Sequence, residues 1–144
     1  MVSEAFIQAR QEREKSTCHK AQTGAVIVKD GKIIGRGHNM CSPSGEEYGE
    51  RVKECKRMNV PTGTGYELCN PVHCEKAAGV DALRRGEDPS GGVMYLSGHY
   101  WACFDCSVFL KFLGVVGIEF DPEIAGEMKQ KYQDLGLIKE EGKE

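Results

Sequence analysis

Apolar and polar positions along this chain repeat with two periods, and the alternation between them lays out a fold. Residues 4–15 carry Phe6, Ile7 and Ala9 on one side of a helical repeat, with Ser3 placed to cap it. Gly24-Ala-Val-Ile-Val-Lys29 and Lys32-Ile-Ile-Gly-Arg36 are short β-branched runs flanking Asp30-Gly31. That dipeptide accepts positive φ at both positions, so the unit reads as a two-residue hairpin. The helical period returns from His73 to Arg85, with Ala77, Ala78, Val80, Ala82 and Leu83 as a packing face. Asp88-Pro-Ser-Gly-Gly92 is a turn, residues 93–96 a strand, Cys103 to Leu113 an apolar helix and residues 115–120 another strand. Pro122 opens a last helix to about Leu135.

Residues 39–71 show no strong period and are rich in glycine, proline and charge. A segment of that length is usually functional or stapled by something, and it holds Cys41, Cys55 and Cys69. The charged tail, 139–144, leaves a single domain over residues 1–138. Strands alternating with helices imply right-handed parallel crossovers, here added to an antiparallel hairpin. The expected fold class is therefore α/β: three α/β/α layers around a mixed sheet of four to five strands.

Composition narrows the class. At 144 residues the chain can bury one core. A net charge of −3 gives no basis for broad phosphate neutralisation, so nucleic acid is not an expected partner. No apolar run approaches the ~20 residues of a membrane span. The N-terminal stretch is too polar for a signal peptide, so a cytoplasmic location is expected. Seven cysteines in a reducing compartment point to metal rather than disulfides. One local basic cluster, Arg10, Arg13, Lys15, His19 and Lys20, is interrupted by Glu12 and Glu14. It reads either as a solvated helix face or as a site for one small phosphate.

The chemistry concentrates in His73-Cys74-Glu75 and Cys103-Phe104-Asp105-Cys106. Zinc takes Cys sulfur and His nitrogen tetrahedrally, and a catalytic site keeps its fourth position for water. Both segments fall at the starts of expected helices, where free N–H groups and the macrodipole favour anions and lower a cysteine's pKa. Zinc would lower the pKa of bound water from ~15.7 to about 7, and Glu75 could move the released proton to a leaving nitrogen. By itself a Cys-x-x-Cys could also be a structural zinc knuckle or a redox motif. No second such pair exists, and the motif follows a late strand rather than the first strand of a βαβ unit. Both alternatives lose ground.

His-x-Glu followed by Cys-x-x-Cys resembles the zinc-dependent cytidine/deoxycytidylate deaminase superfamily. Ser16-Thr-Cys-His-Lys20, Gly24 to Ile34, Gly37-His-Asn39, Pro61-Thr-Gly63 and Tyr66 to His73 resemble deoxycytidylate deaminases in particular, over roughly residues 5–125. The resemblance implies His73, Cys103 and Cys106 as zinc ligands, Glu75 as proton shuttle and Asn39 as a contact to the sugar or nucleotide. It implies hydrolysis of dCMP to dUMP and ammonia by a homo-oligomer, and it makes the basic cluster a more credible phosphate site. Some relatives hold a second, structural zinc, for which Cys41, Cys55, Cys69 and Cys18 are candidates; the plainer reading is buried thiols.

Several positions depart from the family pattern. Cys74 stands where a small alanine is usual, Ala77 replaces a common asparagine, and Ala102 replaces the proline before the first zinc cysteine. Gly98-His-Tyr-Trp-Ala102 is about two residues longer than usual and brings His99, Tyr100 and Trp101 to the rim, to stack on a base or to cap the core. Met40 stands where effector-binding relatives often carry glycine, which argues against triphosphate regulation. These departures leave two further readings: a deaminase of another nucleoside, base or modified pyrimidine, and a non-catalytic binding module with Cys74 as a fourth zinc ligand.

Overall fold

The structure is a computed structural model, described here for residues 3–17, 22–40, 72–99 and 102–134. Its elements run α1 (Glu4–Glu14), β1 (Gly24–Lys29), β2 (Lys32–His38), α2 (Cys74–Arg84), β3 (Val93–Ser97), α3 (Phe104–Leu113), β4 (Gly117–Phe120) and α4 (Pro122–Asp134). The strands form one mixed sheet in the order β2-β1-β3-β4, antiparallel except for the β3–β4 pair. Four of the expected four to five strands are therefore present among the described residues.

The hairpin forms for the expected reason: Asp30 and Gly31 take φ of 52° and 75°, closing Lys29 against Lys32. Pairing continues to Gly24 and His38, beyond the expected end at Arg36. Conversely, β4 begins at Gly117 and not at Val115. The Val115 and Val116 amides are taken by Leu110 and Gly92 carbonyls, which makes these residues the link from α3 into the strand.

Residues paired across a sheet share a face, and small residues on the two faces admit the helices. On one face Gly24 faces the α1 backbone at Ala9 and Arg13, and Phe6 meets Tyr95 edge-on at 5.2 Å. On the other, Gly35 and Gly37 lie directly against α2 at Ala77, Ala78 and Ala82. Ala25, Ile27, Ile34, Met94 and Leu96 join Cys74, Ala78, Ala82 and Leu110 in the core, with α3 packed beside α2. The three-layer expectation holds. Two helix faces differ from their sequence readings. Ala78 and Ala82 are buried but Val80 and Leu83 are exposed; on α1, Ala5, Ala9 and Glu12 are buried while Ile7 is exposed. Close packing against glycine-bearing strands favours the short side chains and leaves the longer ones outside.

A buried ion pair ties the α1 face to the carboxyl edge of the sheet. Asp121 is 0% exposed and caps α4, accepting from the Glu123 amide at 3.2 Å ahead of Pro122. Its two carboxylate oxygens take the Arg10 guanidinium in a fork at 2.6 and 2.8 Å, and the Ser97 hydroxyl donates at 2.9 Å. Arg13 donates to the Gln22 carbonyl and Lys15 pairs with Glu12. Three members of the basic cluster thus have internal partners; His19 and Lys20 lie outside the described residues.

Burial opposes ionisation of Asp121, but hydrogen bonds from Arg10, Ser97 and the Glu123 amide outweigh it and hold its pKa below the usual carboxylate value. A depressed native pKa contributes stability that is present above the unfolded value, ~3.9, and lost as pH falls through the native one. We expect Asp121→Asn to cost about 2–4 kcal/mol at pH 7. The difference between variant and parent in urea midpoint should shrink steadily below about pH 4. An unchanged gap at low pH would refute this account of the pair.

Candidate metal centre and catalytic site

Two helix starts converge on one point. His73 occupies the N-cap position of α2 and Cys103 that of α3, both extended (ψ 148° and 157°), so each side chain leaves the chain just before the first turn. Glu75 and Cys106 follow two and three residues later, inside those first turns. The ligand atoms of His73, Glu75, Cys103 and Cys106 all lie within 4.8 Å of one another. His73 Nδ1 is 3.2 Å from Cys106 Sγ and 3.4 Å from Cys103 Sγ. Zinc with nitrogen at about 2.0 Å and sulfur at about 2.3 Å in a tetrahedron sets such edges near ~3.6 Å. The donor set and its spacing fit.

Lys76 and Asp105 form an exposed ion pair across the same junction, linking the first turns of α2 and α3 beside the candidate ligands. The Cys103 sulfur also accepts the Cys106 amide at 3.4 Å, a cap that holds both thiols on one side of α3. Among the described residues this is the arrangement that sequence spacing implied, now with a common centre.

The electrostatics differ from the sequence expectation. Burial foremost, then the Glu75 charge and the Cys103 hydrogen bond, push the Cys106 thiol well above its ordinary pKa. The helix end does not by itself hold this ligand anionic, because a second anion and a dry environment oppose it. A divalent cation inverts that balance and displaces the thiol proton.

Cys74 does not join the metal cluster. It is wholly buried among core residues, and its thiol donates to Glu75 Oε1 at 3.0 Å. The fourth-ligand reading therefore loses its residue. Burial and the Glu75 charge raise its pKa, so it remains a thiol. His99 is partly buried near His73, and burial, with that neighbour's charge, pushes its pKa down to about 4. Its imidazole is uncharged at neutral pH. Tyr100 and Trp101, and all four cysteines considered for a second zinc, lie outside the described residues.

Asn39 sits at the end of β2, buried. Its side-chain oxygen accepts the Thr23 amide at 2.9 Å and the Ser16 hydroxyl. A backbone N–H can be met only by the oxygen, so the orientation of the amide group is fixed. Sequence reasoning missed Thr23 and Ser16, whose small hydroxyls carry no spacing signal.

The family model "Cytidine and deoxycytidylate deaminase zinc-binding region" matches residues 2–120. Among solved structures, the chain is similar to the dCMP deaminase of cyanophage S-TIM5 in apo form: 23% identity, TM-score 0.61, 92% of this chain and 90% of that one. It is also similar to that enzyme in complex with dCMP and dUMP, at 21% identity, TM-score 0.56, and 95% and 96% coverage. A Thermotoga maritima diaminohydroxyphosphoribosylaminopyrimidine deaminase/5-amino-6-(5-phosphoribosylamino)uracil reductase gives 19%, TM-score 0.51, with 92% of this chain against 34% of that one. These likenesses concern the fold. No curated protein matches by sequence. With the zinc-binding match and the His/Glu/Cys/Cys cluster together, zinc is the cofactor of this site.

The depth of the cluster depends on how closely α2 approaches β2. A Cβ at Gly37 would collide with the Ala78 amide and the Ala77 side chain. We expect Gly37→Ala to cost about 2–4 kcal/mol and to lower zinc content after gel filtration, since α2 must move and carries His73 with it. Gly126→Ala, where a Cβ meets nothing within 4 Å, is the control and should keep its zinc. Equal zinc in both variants would break the link between this contact and the site.

Proposed function

This chain belongs to the cytidine and deoxycytidylate deaminase family, and from that premise we propose that it hydrolyses the exocyclic amine of a cytosine nucleotide, converting dCMP and water to dUMP and ammonia. The supporting observation is the meeting of His73, Glu75, Cys103 and Cys106 within 4.8 Å at two helix starts. His73, Cys103 and Cys106 hold zinc, which when bound supplies Lewis acidity and lowers the pKa of water to about 7. Glu75 takes a proton from the attacking water and gives it to N3 as the C4–O bond forms, then carries the hydroxyl proton to the amine nitrogen as the C4–N bond breaks, leaving C4=O, N3–H and ammonia. Its carboxylate is buried, which keeps competing bulk water from the transfer.

Asn39, with its oxygen held by Thr23 and Ser16, turns its N–H donors away from those partners and supplies them to the nucleotide. The neutral His99 adds a hydrogen-bonding group near the cluster without adding charge. None of the described helices is long and apolar enough to cross a membrane, which agrees with a cytoplasmic enzyme acting on a small nucleotide.

Oligomerisation belongs to the same reading. Phe104, Val108 and Phe112 recur every four residues on α3, and the two phenylalanines are 86% and 91% exposed. Val116, Val80 and Leu83 are exposed as well. An exposed apolar stripe with two nearly fully exposed phenylalanines marks an interaction surface. A second copy of this chain is the occupant we assign. Sedimentation should give a multiple of 15.9 kDa, and Val108→Glu with Phe112→Glu should reduce it to one chain. A monomeric parent protein would overturn this assignment.

The activity test is ammonia release across dCMP, CMP, deoxycytidine, cytidine, dCTP and cytosine. We expect turnover to be greatest on dCMP and to fall about 10²–10⁴-fold in Glu75→Gln, with zinc per chain unchanged by metal analysis. No release from any of the six, from zinc-loaded protein, would defeat the proposal.

A further inference from the structure

Glu75 has a partner that the family pattern does not provide. Where a small alanine is usual, this chain has Cys74, whose sulfur lies 3.0 Å from Glu75 Oε1. The thiol is wholly buried and cannot exchange this acceptor for bulk water. Thr23, at the neighbouring sheet edge, lowers the pKa of the same thiol against the larger effect of burial. Thr23 is itself fixed by the sheet edge, since its amide donates to Asn39 Oδ1 at 2.9 Å and its carbonyl accepts the Asn39 amide at 3.2 Å. The Ser16 hydroxyl donates to the same Asn39 oxygen. Two buried polar pairings thus lie near the site: Ser16 and Thr23 on Asn39, and Cys74 on Glu75.

We propose that Cys74 is a positioning residue, its S–H holding the Glu75 carboxylate in the orientation from which it moves the proton. This rests on the reading of Glu75 as proton shuttle. The physical reason is rotamer control. A glutamate has three side-chain torsions, and its last is broad and roughly two-fold. A helix start alone leaves that freedom, whereas one donor aimed at Oε1 removes most of it and leaves Oε2 for the reacting water. A thiol is a weak donor, so the effect is modest, but burial leaves it no competing partner.

The test has two readouts. In zinc-loaded protein, Cys74→Ala should lower kcat roughly 5–10-fold with KM for dCMP within about twofold, and Cys74→Ser, which keeps a donor, should restore most of the loss. Independently of turnover, the infrared S–H stretch assigned to Cys74 by subtraction of the Cys74→Ala spectrum should lie at the low frequency of a hydrogen-bonded thiol. It should rise in Glu75→Ala, where the acceptor is gone. Equal kcat in parent and Cys74→Ala, an equal loss in the Ala and Ser variants, or an S–H band unmoved by Glu75→Ala would each overturn the proposal. An enzyme inactive on every nucleotide would instead defeat the deaminase reading, and the infrared result would still decide the contact.

Discussion

Everything at the site depends on one close contact, the backbone-to-backbone approach of α2 to strand β2. Gly35 and Gly37 present no Cβ, and Ala77, Ala78 and Ala82 present only one carbon each, so the helix settles against the sheet closer than larger side chains would allow. Interiors pack at nearly crystalline density, and a helix seated this deeply has few alternative positions. His73 and Glu75 project from the first residues of α2, so their depth beneath the surface is inherited from that contact. The same face of the sheet carries Met94 and Leu96, on which α3 brings Cys103 and Cys106 to meet them. Zinc ligands from distant parts of the chain thus converge without any direct sequence linkage.

The opposite face is secured by different means. Where α2 is held by small apolar surfaces, α1 is held by Arg10 gripping Asp121, with Ser97 and the α4 cap sharing the same carboxylate. This pairing joins the end of β3, the end of β4 and the start of α4 through a single buried group. A charge in such a position is tolerated because every lone pair has a donor. The two faces divide the work: one fixes the frame of the sheet edge, the other places the reacting groups against it.

Much of this architecture was legible in the chain. Asp30-Gly31 can close only one kind of hairpin, and the helix starts at His73 and Cys103 followed from where the apolar period began. The cluster of His73, Glu75, Cys103 and Cys106 was legible because a zinc site calls for particular residue types at short spacings. What escaped notice were features with no periodic signature. Gly35 and Gly37 carry no such signature, since a glycine's value there lies in what approaches it from another part of the chain. Glu12 read as solvated but is buried beside Lys15 and His38. Asp121 was not singled out, and nothing near it in sequence points to Arg10, 111 residues away. The Cys106 thiol was expected to be depressed by its helix end; burial and Glu75, invisible locally, reverse the direction.

That reversal bears on how the site is assembled. Two thiols, an imidazole and a carboxylate are gathered here, and burial together with the Glu75 charge favours the protonated, uncharged form of the Cys106 thiol. The α2 and α3 starts are joined across this space by the exposed Lys76–Asp105 pair, which in water contributes little. The apolar packing of α2 and α3 therefore holds ready a cluster whose charged form is unfavourable, and metal binding supplies the missing positive charge. Folding and zinc binding are linked for this reason: the fold bears the cost of bringing the ligands together, and the cation returns it by making their ionised states the stable ones. Glu75 belongs to the cluster geometrically but need not be spent on the metal, since three ligands already suffice for a catalytic zinc. A carboxylate held at the edge of such a site, with its own donor in Cys74, remains available to carry a proton.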